Sequence, residues 1–183
     1  PDQKRPPLAR IPHPCHTEVI DLDRDGIRDL LVANLGTFYP SNDRQGSVVW
    51  LRGDGTGGFT PLPLLENVGR VADVQAADFD ADGDHDIVVA SFGWRTVGAI
   101  IYLENDTVDY ATPEFEPVGL DSRSGTIAVP IVDLNGDARP DFVALISQQF
   151  ETVVAFINSG NGGTFDAQTI FTADHPSWGF SGM

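Results

Sequence analysis

A single cysteine, Cys15, stands in 183 residues, so no internal disulfide can form and no cysteine-based zinc site can be assembled. Lysine is as scarce, with Lys4 alone, and the 11 basic residues face 27 acidic ones for a formal charge of −16. Without clustered basic side chains to neutralise phosphates, no nucleic-acid partner is expected, and a polyanionic membrane surface is disfavoured for the same reason. No apolar run approaches the length of a bilayer span, so no membrane insertion is expected, and the opening Pro-Asp-Gln-Lys-Arg-Pro-Pro does not read as a signal peptide. Catalytic motifs are missing too. There is no Gly-x-Ser-x-Gly elbow and no His-Glu-x-x-His, and the glycine-rich turns lack the lysine of a phosphate loop. What is present is enough apolar sequence for a core, 41% hydrophobic residues.

That sequence is organised as a repeat. The segments 19–33, 76–90 and 131–145 align without gaps, and their first aspartates, Asp21, Asp78 and Asp133, lie 57 and 55 residues apart. Each is followed by a short β-branched apolar run (Asp29 to Leu35, Asp86 to Phe92, Asp141 to Ile146), which reads as a buried strand. A further strand then carries an aromatic, Trp50, Tyr102 or Phe156. Turns rich in Gly, Asn and Asp (Gly53 to Gly58, Gly160 to Gly163), or the longer loop Asn105 to Glu114, lead into a last strand opening near Phe59, Phe115 or Phe165. No stretch reads as helical. The fold class expected is all-β, with three four-stranded antiparallel β-propeller blades. Boundaries are expected at 15–68, 69–122 and 123–173, with 1–14 ending a preceding blade and 174–183 opening a further one. Three blades cannot close a ring, so a larger six- to eight-bladed propeller is expected, completed by more of the same chain or by other copies.

The loops between first and second strands carry the chemistry. In the first, Asp21, Asp23, Asp25 and Asp29 hold positions 1, 3, 5 and 9, with Gly26 at position 6; in the second, Asp78, Asp80, Asp82 and Asp86 surround Gly83. Carboxylates at alternate positions of a tight turn converge, and oxygen-only ligands select a hard cation, calcium fitting best. The third loop offers Asp133, Asn135, Asp137 and Asp141, but Asn135 removes a charge and Ala138 replaces the glycine, so weaker binding is expected there. Position 7 (Ile27, Asp84, Arg139) would offer a backbone carbonyl. Up to three Ca²⁺ are expected, taking the formal charge from −16 to −10. Position 12 holds Val32, Val89 and Ala144 where an EF-hand needs a bidentate Glu.

The acidic loop, apolar strand, aromatic strand and Gly-Asp/Asn-Gly…Phe turn over residues 16–172 resemble the FG-GAP/VCBS repeat, the blade of integrin α-subunit heads and of many secreted bacterial proteins. The resemblance implies that the metal rigidifies the first hairpin of each blade and that the opposite face meets partners. By strand order, that face would hold the loops Thr37 to Gln45, Trp94 to Val97 and Gln148 to Glu151, with Arg70 and Arg123 near them. The expectation is a non-catalytic scaffold binding a protein or glycan ligand there, in a secreted, periplasmic or cell-surface protein. The alternatives are a carbohydrate-active enzyme domain such as a polysaccharide lyase, or an accessory module fused to an electron-transfer domain. Arg52-Gly53-Asp54 spells an adhesion tripeptide, and equally is what the family's Gly-Asp-Gly turn gives wherever an arginine precedes it.

Overall fold

β-Branched and aromatic residues at period 2, punctuated by Gly- and Asp-rich turns, build strands throughout, and no helix forms among the described residues. The computed structural model describes residues 11–148, 150–160 and 162–175. Residues 1–10 of the stretch expected to end a preceding blade therefore lie outside the described residues, as does the further blade expected at 174–183 from residue 176 onward.

Three antiparallel sheets follow one another along the chain. The first is β1 (Pro14–Ile20), β2 (Asp29–Asn34), β3 (Gly46–Gly53) and β4 (Phe59–Val68), paired in that order. The second is β5 (Val71–Ala77), β6 (Asp86–Ser91), β7 (Ala99–Asn105) and β8 (Phe115–Asp121). In the third, β11 (Asp141–Ile146), β12 (Thr152–Asn158) and β13 (Phe165–Thr172) keep the pattern, but the innermost strand is split into β9 (Thr126–Ala128) and β10 (Ile131–Val132), both paired to β11. Pro130 falls in the gap. Proline has no N–H to give a ladder, so the strand breaks there. The Val129 N–H turns away to Asp73 Oδ2 of the second sheet at 2.8 Å.

The core lies between sheets. One buried cluster joins Leu22, Leu31, Ala33, Val48 and Trp50 of the first sheet to Val74, Ile87, Val89 and Leu103 of the second. The other joins Phe79, Val88, Ala90, Ile100 and Tyr102 of the second to Phe142, Ala144, Val154 and Phe156 of the third. Alternate residues of β6 thus face the preceding and the following sheet, which is why that strand is wholly buried. The turn before each last strand reaches back to the sheet before it: Tyr110 meets Trp50 edge-on at 6.0 Å, and Phe165 meets Phe79 at 5.4 Å.

The aromatic of the third sheet faces differently from those of the other two. Trp50 and Tyr102 lie three residues before the ends of β3 and β7 and pair with Leu31 and Val88, but Phe156 lies two before the end of β12 and pairs with Phe142. One residue of slip changes the face. Phe156 therefore packs backward, its ring stacked on Phe142 at 4.5 Å, and Ala155 takes the place corresponding to Trp50 and Tyr102. The forward side of the third sheet is more open than that of the other two at its acidic loop: Leu134, whose counterparts Leu22 and Phe79 are 0% and 1% exposed, is 43% exposed.

Asp73 binds all three sheets together. Its Oδ1 lies 3.2 Å from His16 Nδ1 on β1, while its Oδ2 accepts the Val129 N–H just beyond β9. Cys15, beside His16, directs its thiol at the Val71 and Ala72 carbonyls, and burial, with Asp73 close by, pushes that thiol up to about 11. The residue itself is exposed, but the raised value keeps the thiol protonated and weakly nucleophilic at neutral pH.

Candidate metal centre

The three acidic loops all leave the inner strand of their sheet at the same end and share one backbone path. Positions 4 and 6 are left-handed in each: Arg24 and Gly26 (φ 57° and 85°), Ala81 and Gly83 (65° and 101°), Gly136 and Ala138 (80° and 66°). One glycine per loop suffices, and the third loop carries it at position 4, so Ala138 does not abolish the turn. It strains it. A left-handed non-glycine residue costs about 1–2 kcal/mol, and no other atom lies near enough to a Cβ at Gly26 or Gly136 to matter. Ala138→Gly is expected to stabilise the protein by about 1 kcal/mol, less the extra unfolded-state entropy of glycine. A urea titration checks this, and an unchanged or lowered midpoint would contradict it.

The same hydrogen bonds recur in each loop. The position 6 N–H donates to the position 1 carboxylate (Gly26 to Asp21 Oδ2, 3.1 Å; Gly83 to Asp78 Oδ2, 3.2 Å; Ala138 to Asp133 Oδ2, 3.0 Å). The position 7 N–H donates to position 5 (Ile27 to Asp25, Asp84 to Asp82, Arg139 to Asp137) at 2.8–2.9 Å. These bonds turn the side chains inward. In the first two loops, Asp21, Asp23 and Asp25, and likewise Asp78, Asp80 and Asp82, bring carboxylate oxygens within 4.8 Å of one another.

Position 9 sits apart from both triads. Asp29, Asp86 and Asp141 are at most 1% exposed, and each accepts two main-chain N–H groups. One oxygen takes the position 2 amide (Leu22, Phe79, Leu134), and the other takes the amide ending the third strand (Gly53, Asn105, Asn158). This carboxylate clamps the loop to the sheet. Its partners recur in the sequence as Asn105 and Asn158, a signal that the local loop motif does not contain.

Electrostatics separate the third loop from the others. Asp21 Oδ1 and Asp78 Oδ1 are buried without any hydrogen-bond partner, an arrangement that costs free energy until a donor or a cation meets them. Burial, with the neighbouring carboxylates Asp82 and Asp80, pushes Asp84 up to about 6, and burial raises Asp80. Burial also raises Asp23 although Arg52 stands 2.6 Å away. In the third loop both Asp133 oxygens accept amides, from Gly136 at 2.7 Å and Ala138. Asp137 Oδ2 is met by the Arg139 guanidinium at 2.6 Å and the Asn135 amide at 3.0 Å. Loops one and two each keep a position 1 carboxylate oxygen that no donor meets, whereas in loop three both oxygens at that position are met.

Two arginines, Arg24 within the first loop and Arg52 at the end of β3, tie the site to its surroundings. Arg24 donates to the Gly83 carbonyl and so ties the first loop to the second. Arg52 pairs with Asp23, lies over the Trp50 ring at 5.6 Å, and reaches the Tyr110 carbonyl. Asp54 is likewise committed, to the Thr56 and Gly58 amides. The Arg52-Gly53-Asp54 tripeptide is thus spent on its own turn.

Face-stacked four-stranded sheets with an acidic loop at one end define a β-propeller-like repeat module. Residues 21–89 match the model of the FG-GAP-like repeat, from the first acidic loop through the second and into β6. A search of curated proteins gave no match.

Proposed function

We propose that this chain is a calcium-binding segment of a β-propeller, serving as a non-catalytic scaffold for a ligand on the face opposite the acidic loops. The observation that carries the metal reading is the pair of buried, unpartnered oxygens on Asp21 and Asp78, each set in a carboxylate triad. Asp21, Asp23 and Asp25 would hold one ion and Asp78, Asp80 and Asp82 another, with the Ile27 and Asp84 carbonyls and the clamped Asp29 and Asp86 adjacent. Bound calcium supplies the positive charge that these loops lack and so rigidifies the hairpins. Asp133, Asn135, Asp137, the Arg139 carbonyl and Asp141 form a weaker third site, because both Asp133 oxygens already accept amides and Asn135 brings no charge. Sites of this kind suit extracellular calcium, with dissociation constants on the order of 10⁻⁴–10⁻³ M, which supports an exported or surface location. The exposure of Leu134 and Val132 in the third sheet supports the further blades, from this chain or another copy, that a closed propeller needs.

Calorimetric titration tests the metal reading. Two calcium sites should fill first. Asp21→Asn and Asp78→Asn should each remove one, and Asp133→Asn should leave both. Absence of any binding heat, or three sites equal in affinity, would refute it.

A further inference from the structure

One peptide, that joining Gly83 to Asp84, is central to the order of the second acidic loop. Its N–H, on Asp84, donates to Asp82 Oδ1 at 2.9 Å, and Gly83 donates its own N–H to Asp78 Oδ2 at 3.2 Å, so two members of the carboxylate triad are oriented by this one stretch of backbone. The carbonyl of the same peptide accepts the guanidinium of Arg24, from the first loop. That guanidinium's Nη1 stands 3.4 Å from where a Cβ on Gly83 would lie. A side chain of one loop thus holds the peptide that arranges the carboxylates of the next.

Arg24 occupies position 4 of its loop, between Asp23 and Asp25, with φ at 57°. Glycine takes that conformation without strain, and the third loop has Gly136 there, at 80°. The second loop has Ala81, at 65°. Neither carries a side chain able to cross to a neighbouring loop. The third sheet does reach the second loop, through Asn158 Nδ2 to the Phe79 carbonyl at 2.7 Å, but from the end of β12 and not from its own acidic loop. A position 4 side chain that crosses from loop to loop is therefore confined to the first pair.

An exposed arginine gives up rotamer freedom to hold a carbonyl. A cation on Asp21, Asp23 and Asp25 would fix the backbone on both sides of Arg24, so less freedom remains to be lost when the guanidinium closes on Gly83, and the second triad is arranged before its own ion arrives. Charge works the other way. Two ions repel each other, and the Arg24 cation itself disfavours an ion nearby, but solvent and salt screen both effects around an exposed side chain. We propose that Arg24 couples the two calcium sites, so that filling the first loop raises the affinity of the second. The assignment rests on the calcium reading of these loops, and by linkage filling the second raises the affinity of the first by the same factor.

Calorimetric titration of calcium into the unmodified protein, Asp21→Asn and Asp78→Asn measures the coupling as a ratio. It is the product of both association constants in the unmodified protein over the product of the constants of the two sites measured singly, and it should be ~5 or more. Arg24→Ala, introduced into all three proteins, should bring the ratio to about 1 or below. The second loop carries alanine at this position, and melting in calcium checks that each variant remains folded. A second readout needs no ion in the second loop. In Asp78→Asn, calcium at the first loop should slow hydrogen exchange of the Asp84 amide ~5-fold relative to chelator, and Arg24→Ala should abolish the slowing. A ratio of about 1 in the unmodified protein, a ratio that Arg24→Ala leaves unchanged, or an Asp84 amide indifferent to calcium would overturn the coupling and leave the two sites standing. If the unmodified protein takes up no calcium, the calcium reading itself falls, and the coupling with it.

Discussion

Chelation of calcium is expected to lower the melting temperature by about 10–20 °C. A site held at a hundredfold excess over its dissociation constant adds about 2.7 kcal/mol to stability, so two such sites add about 5 kcal/mol. In a domain of this size 1 kcal/mol corresponds to about 2–4 °C. The effect should depend on pH with a definite sign. Without calcium, burial pushes Asp84 and Asp86 up to about 6 from an ordinary 3.8. Between those values the folded chain binds more protons than the unfolded one, so the stability of the metal-free protein falls as pH rises from about 4 to 6 and stays lowered above. A calcium ion held by Asp78, Asp80 and Asp82 would favour the ionised forms of Asp84 and Asp86 beside it. The chelated protein should therefore melt higher at pH 5 than at pH 7.5, and the gap opened by calcium should be widest at pH 7.5. Asp21→Asn or Asp78→Asn should each remove about half of that gap, and Asp133→Asn little of it. Coincident melts with and without chelator at pH 7.5 would count decisively against calcium as a structural ligand.

These differences among loops bear on how far sequence reaches. The 57- and 55-residue spacing of Asp21, Asp78 and Asp133 made the three sheets and the first-hairpin placement of the loops legible, because each repeat is a local unit. The strand break was legible in principle, since Pro130 sits inside an inner strand. The facing of Phe156 was not, because a one-residue slip in register is decided by which sheet it packs against and leaves the apolar composition of β12 unchanged. Long-range pairings were hidden for a related reason. Asp73 reaches Val129 across 56 residues, and Arg52 reaches back to Asp23 of the first loop, so no short motif encodes either. The loops' acidity pointed to metal in all three, but whether a carboxylate remains uncompensated depends on its partners. Arg139 and Asn135 answer Asp137, and nothing answers Asp21 Oδ1.

The role of position 9 can be separated from calcium in the third sheet, where the loop is internally satisfied. Asp141 is 0% exposed; its Oδ2 accepts the Leu134 N–H at 2.9 Å and its Oδ1 the Asn158 N–H at 2.7 Å. Alanine at this position leaves two amides with no acceptor, and each unmet buried donor costs about 1–3 kcal/mol. Asp141→Ala is therefore expected to lose about 3–5 kcal/mol by urea denaturation, with nearly the same loss in calcium and in chelator. Asp29→Ala breaks the corresponding clamp beside a triad with charge to spare, so it should lose a similar amount in chelator and more in calcium, as the response of that site goes with it. A loss below about 1 kcal/mol for Asp141→Ala, or one seen only in calcium, would make position 9 chiefly a ligand. The expected pattern makes it first the tie between loop and sheet, holding the carboxylates of positions 1, 3 and 5 where a cation can meet them.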